Sequence, residues 1–159
     1  MLRSLRILTA GAFFSSTVGA QTLMQPGAWD IQMKMFGENP TTGASFLINE
    51  SSYRRCLTKE FLEEEPFLNS RRDRSGMEKI HYSCEVLDEI KTENTASWKL
   101  KCKLADSITI DKETTTTVSS KKLASEATQT TTLNGNRTMT RIVVGFSFSG
   151  PCVDEMPYQ

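Results

Sequence analysis

The chain has 159 residues, with 19 basic against 19 acidic side chains and a single histidine. That balance excludes the basic excess of a nucleic-acid binder and the polybasic patch of a membrane-surface protein. The length is that of one domain able to bury a core.

The N-terminus has the three parts of a secretory signal. Arg3 and Arg6 give a positive start, Ile7 to Val18 is mostly apolar, and Val18-Gly19-Ala20 supplies small residues for a peptidase. Residues 1–20 are therefore expected to be a cleaved signal peptide, cut between Ala20 and Gln21, and residues 21–159 a single β-rich exported domain, periplasmic or secreted. The apolar stretch is well short of the roughly 20 residues that span a bilayer. No later segment is apolar enough to cross, so the chain is not expected to be membrane-spanning. Removing Arg3 and Arg6 leaves 17 basic residues against 19 acidic.

Past this segment, alternation with a period of two dominates. From Trp29 to Met35, the residues Trp29, Ile31, Met33 and Met35 share one parity, and Asp30, Gln32 and Lys34 share the other. This predicts a half-buried strand, started by Pro26-Gly27 and ended by the turn-forming Gly37-Glu38-Asn39-Pro40. A second strand is expected over Ala44 to Ile48, or resuming over Ser51 to Leu57. Thr58 is placed to cap a short helix from Lys59 to Glu65, closed by Pro66. The Asn69 to Gly76 stretch, with Arg71, Arg72, Asp73 and Arg74, reads as an exposed loop.

A hairpin follows. Ile80, Tyr82, Cys84, Val86 and Ile90 share a parity, as do Trp98, Leu100, Cys102 and Leu104 on the return, with Lys99, Lys101 and Lys103 between them. Centring the turn on residue 93 sets Cys84 opposite Cys102, Val86 opposite Leu100 and Tyr82 opposite Leu104. That register predicts a Cys84–Cys102 disulfide and leaves Cys56 to pair with Cys152. An even cysteine count behind an export signal favours disulfides. The gaps of 28, 18 and 50 residues between successive cysteines lack the close pairs of a zinc site.

Downstream, Ile108 to Val118 reads as a strand, Ser119-Ser120-Lys121 as a turn and Lys122 to Leu133 as another strand, its threonines outweighing a weakly helical start. Asn134-Gly135-Asn136 is a hairpin turn, and Thr138 to Ser149 is the last strand, with Ile142, Val144, Phe146 and Phe148 on one face. The expected fold is mainly β: an antiparallel meander sheet, curved or barrel-like, with one short helix and two disulfides.

Four short motifs, in order, resemble those of a bacterial family, the domain of unknown function numbered 3617. They are Pro26-Gly27-Ala28-Trp29-Asp30, Cys56-Leu57-Thr58, Cys84 and Cys102 with Trp98 upstream of the second, and Gly150-Pro151-Cys152. Two positions of the first motif depart from the Pro-Gly-Leu-Trp-Glu pattern, and threonines stand where a glycine-rich stretch is expected between the last two cysteines. The resemblance spans nearly all of residues 21–159 and implies a β-rich periplasmic domain. It implies no activity.

No catalytic or cofactor motif stands out. His81, by parity, faces solvent without partners. Glu63-Glu64-Glu65 reads as a solvated acidic face, and Arg71, Arg72 and Arg74 as a loop cluster. Thr114 to Thr117 and Thr128 to Thr132 read as β-formers on a wet face. Asn49-Glu50-Ser51 and Asn136-Arg137-Thr138 match glycosylation sequons. The expected function is that of a small non-enzymatic binding or structural module, taking a protein partner or a small apolar ligand. Trp29, Met33, Met35, Trp98, Phe146 and Phe148 are the candidate apolar surface, with formation of the core as the competing role. The alternative is a hydrolase using carboxylates in a cleft, such as Asp30, Glu85 and Asp88.

Overall fold

The structure, a computed structural model, describes residues 24–39, 41–64, 67–105 and 107–153. The expected signal peptide lies outside the described residues. In chain order the elements are β1 (Gly27–Glu38), β2 (Ser45–Leu57), α1 (Lys59–Glu64), α2 (Arg71–Lys79), β3 (Ser83–Lys91), β4 (Thr95–Leu104), β5 (Ile108–Val118), β6 (Lys122–Leu133) and β7 (Asn136–Gly150). They build one sheet in the order β2-β1-β7-β6-β5-β4-β3, with every neighbouring pair antiparallel.

The sheet is not closed; β2 and β3 are its two edges. The expected meander describes β3 to β7. The β1–β2 hairpin adds to it through β1–β7 pairing, so β2 and β3, consecutive in sequence, lie at opposite edges. Residues 58–82 must therefore cross one face of the sheet. That inner face is apolar because alternate residues of each strand point to it: Trp29 and Ile31, Phe146, Leu123 and Ala127, Ile110 and Val118, Trp98, Leu100 and Cys102 are all buried. Leu62 and Leu68 of the crossing segment join the same cluster, and the Phe67 ring meets Phe146 edge-on at 5.3 Å.

The outer face is polar and bears surface ion pairs that link neighbouring strands: Lys34–Glu50, Asp30–Arg54, Lys99–Glu113 and Arg141–Glu126. Such exposed pairs fix register more than they add stability.

Four local features depart from the expectation. β1 continues through Gly37 and Glu38, and the turn forms later, where Asn39 Oδ1 accepts from the backbone N–H groups of Thr41 (2.9 Å) and Thr42 (3.1 Å). Gly37 suits the strand because Phe46 and Ile48 fold over it: a Cβ there would meet them at 2.7 and 3.0 Å. β2 is continuous, with Ile48 bulged where the β1–β2 register shifts.

The third departure is a second helix, where an exposed loop was expected. Only Asp73, Ser75 and Met77 of α2 are even half-buried, so the segment carries almost no apolar periodicity to read. Its start is set by Asn69, whose side chain accepts from Arg71 N–H, and its end by His81. His81 takes φ 70°; its N–H donates to Glu78 C=O, and Tyr82 N–H reaches back to Met77 C=O. This is a Schellman ending with histidine where glycine is usual. The expected exposure of His81 is observed, but at a helix end and not on a strand.

The fourth departure is a bulge in β3. The register from Ser83 to Val86 is as expected, with Cys84 opposite Cys102, but Leu87 is extra, so Glu89 falls opposite Trp98. Ile90, assigned to the core by parity, turns outward and is 61% exposed. α1 agrees with the expected short helix, and Thr58 Oγ1 caps it by accepting from Phe61 N–H at 3.1 Å. Glu60, in the first turn, has its carboxyl held below its ordinary pKa, mainly by its own backbone N–H and then by the Thr58 hydroxyl.

Two disulfides brace the sheet. Cys84–Cys102 links β3 to β4 on the inner face, and Cys56–Cys152 links the end of β2 to the segment after β7.

Candidate functional site

The crossing segment divides the inner face into a covered and an uncovered part. On the covered part, Asp73 of α2 reaches down to the sheet. Its Oδ2 accepts from Trp98 Nε1 (3.0 Å), Thr114 Oγ1 (3.0 Å) and Lys112 Nζ (2.9 Å). Lys112 is only 15% exposed, so its charge has a carboxylate partner in a largely dehydrated setting. Close by, Ser70 Oγ donates to Glu89 Oε2 at 2.7 Å, leaving α2 without a side-chain cap. These contacts fasten the helix to β3, β4 and β5, and every donor and acceptor in them is matched.

The sequence reading missed this network, although it left one signal. In β5 the inward parity runs Ile108, Ile110, Lys112, Thr114, Thr116, Val118. A lysine on a buried parity requires a carboxylate from another element. Thr114 and Thr116 are likewise not on a wet face: both are buried, and Thr116 shares a hydrogen bond with Ser125.

The six candidate apolar residues separate into two sets. Trp29, Trp98 and Phe146 lie in the core beneath the crossing segment, and Phe148 packs edge-on against Trp29 at 5.6 Å. Met33 and Met35 share the inner face but lie outside the buried cluster, half exposed. Their cross-strand neighbours are Val144 and Ile142 of β7. At the rim, Phe46 (54% exposed), Ile48 (51%) and Tyr53 (44%) extend the same apolar surface onto β2. The result is an apolar corner over β2, β1 and β7, with Asn49 and Ser51 between its members on β2 and no helix among the described residues above it. Two open depressions occur among the described residues, one lined by Asp30, Ile31, Gln32, Ser52, Arg54 and the rim residue Tyr53, the other by Glu113, Thr115, Ala124, Glu126, Thr128 and Val143.

The charged candidates are dispersed. Asp30 sits on β1 and binds Arg54, whose pKa it raises through a hydrogen bond first and by charge second. Glu85 and Asp88 sit on β3, separated from β1 by four intervening strands, so the three carboxylates do not converge. Glu63 pairs with Lys59, Arg74 with Glu78, and Arg72 lies over the Phe67 ring at 4.9 Å. No group of three or more metal-ligating side chains occurs among the described residues. No helix among them is long and apolar enough to cross a membrane.

Three of the four short motifs meet at one end of the sheet, while the Cys84, Trp98 and Cys102 motif lies on β3 and β4 toward the opposite edge. Gly27 pairs with Leu57, Ala28 pairs with both Cys56 and Gly150, and Cys56 is bonded to Cys152. Trp29 is fully buried beside them and donates from Nε1 to Gln25 C=O. They act together as a clasp holding β2, β1 and β7, which is a structural role.

No curated protein and no solved structure matches the chain. The family described as "Protein of unknown function (DUF3617)" matches over residues 24–152. That span takes in all four motifs, both disulfides and the whole sheet, and the chain belongs to the DUF3617 family.

Proposed function

We propose that this chain is an exported, non-enzymatic binding module that takes an extended apolar segment of a protein partner on the uncovered corner of its inner face. The observation that carries this is the continuation of the apolar face past the helices at Met33, Met35 and Ile142, with Phe46, Ile48 and Tyr53 exposed at its rim. Large exposed apolar patches mark interaction surfaces. Methionine side chains adapt to varied partners. A small apolar ligand calls for a concave site that covers most of its surface, and the corner is open. Export is supported by the two disulfides, which fit an oxidising compartment, and by the signal-like residues 1–20. For the hydrolase alternative no observation speaks: Asp30, Glu85 and Asp88 stand apart.

The test is site-specific photo-crosslinking in the producing cell, combined with native mass spectrometry of the purified chain. A crosslinker at Met35 gives a discrete adduct of protein size, lost when Ile142→Asp is added, and one at Thr115 on the outer face gives none. Absence of that adduct, or a co-purifying apolar small molecule in the native spectrum, overturns the proposal.

A further inference from the structure

The two edge strands are guarded differently. An edge presents unpaired N–H and C=O groups that invite another strand, and proteins commonly blunt it with bulges or charge. β3 is nine residues long, is interrupted by the bulge at Leu87 and carries Glu85, Asp88 and Glu89, so a second copy of it would meet like charges. β2 is 13 residues long, and its one irregularity lies near its start. From Asn49 to Leu57 it runs in regular register with β1, and Asn49, Glu50, Ser52, Tyr53 and Arg54 are exposed.

We propose that β2 pairs antiparallel with β2 of a second copy of this chain, about a two-fold axis through Ser52. A two-fold axis normal to the sheet keeps the same face of both copies on one side, so it must pass through a residue and pair positions of equal parity. With the axis at Ser52, Glu50 of each copy faces Arg54 of the other, Ser51 faces Tyr53, and Asn49 faces Arg55. An axis at Glu50 or at Arg54 sets that charge against itself. At Ser51 it sets Arg54 against Ile48, and at Tyr53 it sets Glu50 against Cys56. Only Ser52 makes the strand complementary to itself.

The outer face supports the same register. Arg54 is already 2.6 Å from Asp30, and Glu50 is 3.0 Å from Lys34. Pairing extends these into a row across four strands, Asp30–Arg54–Glu50–Lys34, the first two from one copy and the last two from the other, alternating in sign. Main-chain hydrogen bonds supply affinity in such strand addition, and the charges supply register. A single strand pair is at the low end of specific interface sizes, so the dimer forms reversibly. The site is the main-chain edge of β2; it shares Tyr53 with the rim of the apolar corner, but its test reads Glu50 and Arg54 where the other reads Met35 and Ile142, so the two proposals fail separately.

Sedimentation velocity over a concentration series tests this on the chain without residues 1–20. The expected result is a monomer–dimer equilibrium that weakens with added salt. Glu50→Lys weakens it by about tenfold or more, since two attractive pairs become repulsive. Adding Arg54→Glu to Glu50→Lys restores it, and Asp88→Lys on the other edge leaves it unchanged. A chain that stays monomeric up to millimolar concentration overturns the proposal, as does a dimer indifferent to Glu50→Lys or one abolished by Asp88→Lys.

Discussion

The indole N–H of Trp98 donates to Asp73 Oδ2 at 3.0 Å, joining the helix that crosses the sheet to a strand beneath it. The same oxygen holds Thr114 and Lys112, so one side chain positions α2 over β4 and β5. Replacing Asp73 with Leu leaves a largely buried ammonium, a hydroxyl and an indole N–H without their acceptor. The expected cost is about 2–3 kcal/mol, and Asp73→Asn costs less because its amide oxygen still accepts from Trp98 and Thr114. Urea unfolding followed by tryptophan fluorescence measures both, and equal stabilities for Asp73→Leu and wild type would show that the network does not hold the helix.

His81→Gly is expected to stabilise the protein. The residue sits at φ 70°, which strains a side chain with a Cβ, and its imidazole is exposed. Glycine relieves that strain but adds freedom to the unfolded chain. The net gain is about 0.5–1 kcal/mol, read as a higher urea midpoint at unchanged slope. A loss of stability would mean that the imidazole itself contributes.

Gly27→Ala is expected to destabilise strongly. The position has φ 148°, and a Cβ would come within 2.5 Å of the Phe148 ring and 2.6 Å of Gly150 C=O. Neither the carbonyl nor a ring packed on Trp29 can easily move. The cost is about 2 kcal/mol or more. Thermal unfolding by circular dichroism checks it, with Gly135→Ala in an exposed turn as a milder comparison.

The two disulfides are expected to contribute unequally. By chain entropy, the bond spanning 18 residues between Cys84 and Cys102 contributes about 3 kcal/mol, and the one spanning 96 between Cys56 and Cys152 about 4–5 kcal/mol. Denaturant unfolding of the paired Cys→Ala variants compares them. Non-reducing peptide mapping checks the connectivity, and a Cys56–Cys84 peptide would contradict it.

Much of the sheet was readable from alternation. The β3–β4 register from Ser83 to Val86, the β5–β6 and β6–β7 turns and the α1 cap each depend on local residue chemistry. What escaped depends on pairing between distant segments. The Leu87 bulge changes which residues face the core without changing composition, so Ile90 looked inward. α2 is held by one aspartate that meets Trp98, Lys112 and Thr114 only once the chain has crossed the sheet, and its own sequence is nearly all polar. For the candidate apolar surface, parity put Trp29, Met33 and Met35 on one face of their strand and Phe146 on one face of another, and the β1–β7 pairing makes these the same face. Parity carried no information on which part of that face residues 58–82 would cover.

The Cys56–Cys152 bond also imposes a timetable. Cys84 and Cys102 can meet as soon as one hairpin has formed, but Cys152 is synthesised after all seven strands. The larger ring therefore cannot close until β7 has docked beside β1, and once closed it keeps any two fragments cut between residues 56 and 152 covalently attached. A single protease nick in that span would leave both pieces in one species, heavier by only one water, and they would separate only after reduction.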